Sequence, residues 1–186
     1  MTRVTYMASL LIVDDEPNVL SAMRRLCQNA SILPAIPEPT ITTFTSPLQA
    51  LVWLERASVD VVISDYRMPE MDGASFLARV RESQPDSARI IMSACSDIDG
   101  IVRAVNHAGI FRFVSKPWSD PDLKAAILEV LAHRRLLLEN RLLADEVRAQ
   151  RDVIVRQKLE LERLERESPG LTKVRWTEDG GVLLED

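Results

Sequence analysis

Through the first two thirds of the chain, short runs of consecutive apolar residues alternate with stretches whose apolar residues recur every three or four positions. Leu10, Leu11, Ile12 and Val13 stand in succession within Tyr6–Val13, the pattern of a strand buried on both faces. Val59–Ser64, Arg89–Ser93 and Arg112–Ser115 repeat it, and the β-branched stretch Thr40–Phe44 reads as another strand. Between them, Pro17 opens a helix with Val19, Leu20, Met23 and Leu26 on one side. Ser46-Pro47 supplies the cap and first residue of a second helix, carrying Leu48, Leu51, Val52 and Leu54. A third runs through Phe76, Leu77 and Val80, and a fourth over Ile98–Ala108 stops at Gly109. Three prolines make Ser31–Pro39 a loop. Ser119 caps a last helix that meets no stop signal before Ser168-Pro169-Gly170. Strands alternating with helices in this way predict an α/β fold, a doubly wound parallel sheet covered on both faces.

The last helix is longer than the sheet needs. From Leu136 a heptad fits, with Leu136, Leu143, Gln150, Gln157 and Leu164 at d and Asn140, Val147, Ile154 and Leu161 at a. A parallel homodimer through residues 136–164 is expected. Glu146 could pair with Arg151 of a parallel mate, while Glu160 would face Glu165, so these flanking charges do not fix the orientation. The other reading is one amphipathic helix folded back on its own sheet. Beyond it, Lys173–Thr177 and Val182–Glu185 flank Glu178-Asp179-Gly180-Gly181, a turn suited to a short β-hairpin, with a frayed tail as the alternative. The expected organisation is a sheet domain over 6–132, a helical coiled-coil extension over 133–167 and a tail over 168–186.

Composition narrows the function. An apolar share of 46% supports a true core, and a net charge of −5 gives no basic face for nucleic acid, so DNA binding is not expected. No apolar run approaches the roughly 20 residues a membrane span requires, and no leader-like segment opens the chain, which points to the cytoplasm. Cys27 and Cys95 lack metal-ligand spacing and read as reduced packing thiols. His107 and His133 read as solvated helix surface.

The predicted strand ends carry the chemistry, because an open α/β sheet works outside the carboxyl ends of its strands. Asp14 and Asp15 follow the first strand, Asp65 the third, Ser93 ends the fourth and Lys116 follows the fifth. Three carboxylates brought together repel unless a cation joins them, and an all-oxygen set suits Mg²⁺. The Lys116 ammonium and the Ser93 hydroxyl would then meet the oxygens of an incoming phosphoryl group.

Asp14-Asp15, Asp65-Tyr66-Arg67-Met68-Pro69-Glu70-Met71-Asp72-Gly73, Ser93-Ala94 and Lys116-Pro117, each after its own strand, resemble the receiver domain of bacterial two-component response regulators. The resemblance covers about residues 6–132 and implies a flavodoxin-like (βα)5 fold. It implies Asp65 as phospho-acceptor and Mg²⁺ held by Asp15, Asp65 and the backbone carbonyl of Arg67, with Asp14 acting through water. It further implies Ser93 and Lys116 as phosphoryl contacts, and Phe113 as an aromatic switch that turns inward when Ser93 moves. Met68-Pro69 and Gly73 shape the loop. Gly109-Ile110-Phe111-Arg112-Phe113, ending in Lys116-Pro117-Trp118, is similar to receivers attached to HD-GYP phosphodiesterases and hydrogenase transcription regulators, with no recognisable output domain here.

The resemblance implies a phosphorelay response regulator rather than a turnover enzyme. It would accept phosphate from a histidine kinase or histidine phosphotransfer protein. It would signal to a protein partner through the face made by the fourth helix, fifth strand and fifth helix, and through the coiled coil. One alternative is a relay intermediate or phosphate sink without conformational output. Another is a metal-dependent phosphatase on a similar sheet, which Arg67 opposes by standing where that chemistry wants an acid.

Overall fold

Side chains of a strand alternate between the two faces of its sheet, so a run of consecutive apolar residues needs cover on both. The computed structural model describes residues 8–28, 39–94, 108–168, 175–176 and 182–183. It pairs β1 (Ser9–Val13), β2 (Thr40–Phe44), β3 (Val61–Asp65), β4 (Ala88–Ala94) and β5 (Arg112–Lys116) in the order β2-β1-β3-β4-β5. Every pairing is parallel. One face buries Leu10, Ile12, Val61, Ile63, Ile90 and Met92 with Leu20, Met23 and Leu26 of α1 (Pro17–Gln28) and with Leu123, Ala126, Ile127 and Val130 of the C-terminal helix. The other buries Leu11, Val13, Val62 and Ile91 with Ala50 and Leu54 of α2 (Pro47–Leu54) and Phe76, Leu77 and Val80 of α3 (Gly73–Ser83).

Within the described residues the predicted elements stand, with edges shifted by up to three residues. β3 begins at Val61 and includes Asp65, and β5 includes Lys116, so two of the chemical residues are the last of their strands rather than loop residues. Most of Ser31–Pro39, all of Ile98–Ala108 but its last residue, Cys95 and His107 lie outside the described residues. Cys27 is buried, which pushes its thiol up to about 12 and leaves it unreactive packing.

At the amino ends of the strands, buried polar groups fasten the C-terminal helix. Asp60 accepts from the Ser9 amide at 2.7 Å and the Ser9 hydroxyl at 2.9 Å, and it pairs with Arg134 at 2.8 Å. Arg134 also donates to the Asp86 carbonyl at 2.7 Å. Buried Arg89 donates to the carbonyls of Ser87 at 2.7 Å and Ala108 at 2.9 Å. Burial, with Arg81 nearby, lowers the guanidinium to about 10. His133 is exposed at its helix surface, as expected, yet its ring lies 4.9 Å from that of Phe111.

The C-terminal helix runs unbroken over Asp120–Glu167, and the Ser119 hydroxyl accepts from the Asp122 amide at its start. Two compact units divide the chain, Met1–Leu138 and Glu139–Asp186. In the second, Leu143, Val147, Ile154 and Leu161 are each more than half exposed, at 59%, 63%, 63% and 52%. Arg175–Trp176 and Val182–Leu183 pair antiparallel as the expected hairpin, whose turn lies outside the described residues. Among the described residues no helix is long and apolar enough to cross a membrane.

Asp60→Ala leaves the Ser9 donors and the Arg134 cation without their acceptor. It is expected to lower unfolding stability by about 3 kcal/mol, read by urea denaturation.

Candidate functional site

Five parallel strands end on one rim, and the rim gathers the acids. Asp14 follows β1 at 1% exposure and Asp65 closes β3 at 7%, so neither carboxylate is solvated like a surface group. Lys116, the last residue of β5, supplies what water does not. Its ammonium donates to Asp14 Oδ2 at 2.7 Å and stands 2.5 Å from Asp65 Oδ1. The remaining oxygens accept from backbone: Asp14 Oδ1 from the Glu16 amide at 3.0 Å, and Asp65 Oδ2 from the Arg67 amide at 2.9 Å. Each acid thus has one oxygen on a fixed amide and one on a movable cation.

Charge at the site is out of balance. Burial raises the Asp14 carboxyl above the ordinary 3.8, and the nearby charge of Asp65 adds to it; the Lys116 and Glu16 hydrogen bonds only partly offset this. Burial alone would lower the Lys116 ammonium, but its bonds to Asp14 and Asp65 and their charges outweigh that and hold it above 10.5. Two acids on one ammonium leave a net negative pocket of oxygen donors, a set that fits a hard divalent cation such as Mg²⁺.

Asp15 departs from the expected packing of three carboxylates. Its side chain is exposed, and among the described residues no three acidic, histidine or cysteine side chains gather closely enough to hold a metal unaided. Both acids lie past the end of β1, and of the two only Asp14 is buried against Lys116. Ser93 is buried at the end of β4, paired with Ser115 of β5, and its hydroxyl donates to the Ala94 carbonyl at 3.3 Å. Phe113 is half-buried against the cluster that contains Phe76.

The loop from Asp65 to Gly73 is held from several sides. The Tyr66 amide continues the ladder onto the Met92 carbonyl at 2.8 Å, and the Gly73 amide returns to the Tyr66 carbonyl at 2.8 Å. A Cβ on Gly73 would lie 1.9 Å from the Asp65 carbonyl oxygen, so no other residue fits without moving the backbone of Asp65 itself. The sequence reading gave Gly73 a shaping role without this contact, and it passed over two neighbours. Asp72 caps α3 by accepting from the Ser75 amide at 2.8 Å, a signal present in Asp72-x-x-Ser75. Glu70 adopts a left-handed φ of 69° and accepts from the Ser46 hydroxyl at 2.8 Å, which no local pattern announces.

A family model described as response regulator receiver domain matches residues 10–128. The hydrogenase transcriptional regulatory protein HoxA of Cupriavidus necator is 37% identical over 111 residues, 60% of this chain and 21% of its own length. The cyclic di-GMP phosphodiesterase response regulator RpfG of Xanthomonas campestris is 33% identical over 147 residues, covering 73% of this chain and 37% of its own. The chain therefore spans well under half the length of these curated relatives. Among solved structures, the signal receiver domain of an HD domain-containing protein from Pseudomonas fluorescens superposes with a TM-score of 0.64 at 32% identity, over 75% of this chain and 97% of that one. Relatives of both kinds named from the β5 region are thus among the matches.

The raised Asp14 carboxyl has a consequence for stability. A carboxyl held above its unfolded value stabilises the fold fully below pH 3.8 and loses that contribution as pH rises through its folded value. Asp14→Asn should therefore raise stability at pH 7.5 in EDTA, by about 1 kcal/mol or roughly 3 °C in Tm, and the gain should shrink toward pH 4. Thermal unfolding followed by circular dichroism across that range checks it.

Proposed function

The chain belongs to the response regulator receiver family, and from that premise we propose that it is a two-component phospho-switch whose acceptor is Asp65 and whose output passes through its C-terminal helix. The observation that carries the reading is the pair Asp14 and Asp65 held on Lys116 at the common end of β1, β3 and β5. Oxygens of Asp65 and Asp15, the Arg67 carbonyl and, through water, Asp14 would hold Mg²⁺. Bound there, the ion supplies positive charge to the equatorial oxygens of a phosphoryl group in transfer.

The protein's own groups do the rest. Asp65 Oδ2 is fixed by the Arg67 amide, which leaves Oδ1, whose partner can move, to attack phosphorus. The P–O bond of an acyl phosphate forms as the P–N bond to the donor's phosphohistidine breaks, and the imidazole leaves with the bonding pair. Lys116 then loses its Oδ1 partner and follows the charge to a phosphoryl oxygen. Ser93, one strand away, donates its hydroxyl to another. Phe113 repacks into the space that the Ser93 shift opens. The acyl phosphate adds about −1.5 to −2 charges to a pocket already short of cations, which gives the switch its driving force. The donor would be a histidine kinase or histidine phosphotransfer protein in the cytoplasm.

Output rests on the C-terminal helix and a second copy of the chain. Six of its nine a and d positions from Leu136 to Leu164 are apolar and exposed in an unbroken helix. Each fully buried Leu, Val or Ile is worth about 1.5–3 kcal/mol, more than an exposed helix would leave unused. In a parallel, in-register pair Asn140, Gln150 and Gln157 each meet their own counterpart and exchange amide hydrogen bonds. Reversing one helix sets a against d, and Gln150 then faces Val147 or Ile154. The polar seam residues thus favour the parallel homodimer that the flanking charges left open.

Two measurements test this reading. Incubated with Mg²⁺ and labelled acetyl phosphate, the parent chain should take up label and Asp65→Asn should take up none; equal uptake by both ends the assignment. Leu143→Asp and Ile154→Asp should each convert a dimer to a monomer by light scattering, and a monomeric parent ends the coiled-coil reading.

A further inference from the structure

Glu70 holds a left-handed backbone conformation that is unfavourable for a residue with a side chain and costs glycine nothing. A glutamate at such a position calls for a compensating interaction, and its carboxylate has one. The Ser46 hydroxyl donates to Glu70 Oε2 at 2.8 Å while accepting from the Gln49 amide at 3.4 Å. Ser46 is the N-cap of α2, so the contact joins the loop after β3 to the start of a neighbouring helix.

The position of this contact matters. Asp65, Arg67 and Glu70 lie on one short loop whose near end is tied by the Tyr66 and Arg67 amides and whose far end is tied by the Gly73 amide. Between these ties, the segment from Arg67 to Met71 is exposed or half-buried, and the Met71 amide turns back onto the Pro69 carbonyl at 2.8 Å. The Arg67 amide is committed to Asp65, and the orientation of the Arg67 carbonyl depends on how the next three residues are held. The Ser46 contact holds the third of them.

We propose that Ser46 and Glu70 form a positioning pair that fixes the Arg67 carbonyl for the cation and thereby sets the affinity of the acceptor site for Mg²⁺. The inference rests on the metal reading given under Proposed function. Glu70 touches neither metal nor phosphate. It acts through the loop, and the strain of its left-handed backbone is offset by the Ser46 bond.

The pair can be separated from a merely structural staple, because relief of strain and loss of the contact act oppositely on stability and on metal binding. Mg²⁺ affinity is measured by calorimetric titration and, independently, by the rise in Tm with Mg²⁺ concentration. Glu70→Gly, which removes both strain and carboxylate, should keep or raise the metal-free Tm while weakening Mg²⁺ binding roughly tenfold. Glu70→Gln and Ser46→Thr, which keep an acceptor and a hydroxyl, should bind Mg²⁺ within about twofold of the parent, whereas Ser46→Ala should match Glu70→Gly. If Ser46→Ala fails to fold, Glu70→Gly against Glu70→Gln carries the comparison. Parental Mg²⁺ affinity in Glu70→Gly overturns the proposal. Absence of any Mg²⁺ signal in the parent removes the metal reading itself, a distinct outcome in which all variants are alike.

Discussion

One ammonium shared between two buried carboxylates organises the working end of this molecule. Lys116 on β5 reaches Asp65 across two strand boundaries and Asp14 across three, and its charge is the reason both acids can stay buried and close together. The arrangement is deliberately short of positive charge, as the upward displacement of the Asp14 carboxyl records. A fully neutralised pocket would have no appetite for a cation or a response to a phosphate. A pocket with no lysine would spread its acids apart. The intermediate state, one cation for two anions, keeps the acids together and leaves the pocket net negative.

The sheet makes this possible because it is parallel and covered on both faces. All five strands deliver their last residues to one edge, while the opposite edge is free for fastening. There Asp60 with Arg134, and Arg89 with the carbonyls of Ser87 and Ala108, tie the C-terminal helix and the approach to β5 into the body of the fold. Chemistry and attachment are thus kept at opposite ends of the same strands. The strands themselves, apolar throughout, separate the two polar regions.

Much of this was legible in the residues. Runs such as Leu10–Val13 can be satisfied by few architectures, and the order of strands and helices fixed the winding. The acids, Ser93 and Lys116 were found because each stands at the carboxyl end of a recognisable strand. What escaped was geometry between segments distant in sequence. Asp14 and Asp15 are equivalent as letters, and only the folded path of the chain after β1 shows which one faces Lys116. Asp60 reads as an ordinary acid before a strand until Ser9 and Arg134 are seen around it. Glu70 carries no signal at all, because its partner Ser46 lies on another helix and a left-handed glutamate is invisible in composition. The heptads of the last helix announced its length, since nothing interrupts them before Ser168.

The close approach of Gly73 to the Asp65 carbonyl has a bearing on how such a protein changes over generations. A hydrogen in place of a methyl is the whole specification at that position, so drift there is closed regardless of signalling. The Asp65 carboxylate is held only by charge and hydrogen bonds, which other polar side chains can supply in part, so change there is open to a lineage in a way that change at Gly73 is not. Descendants that have replaced Asp65 would therefore still carry an unaltered glycine behind it.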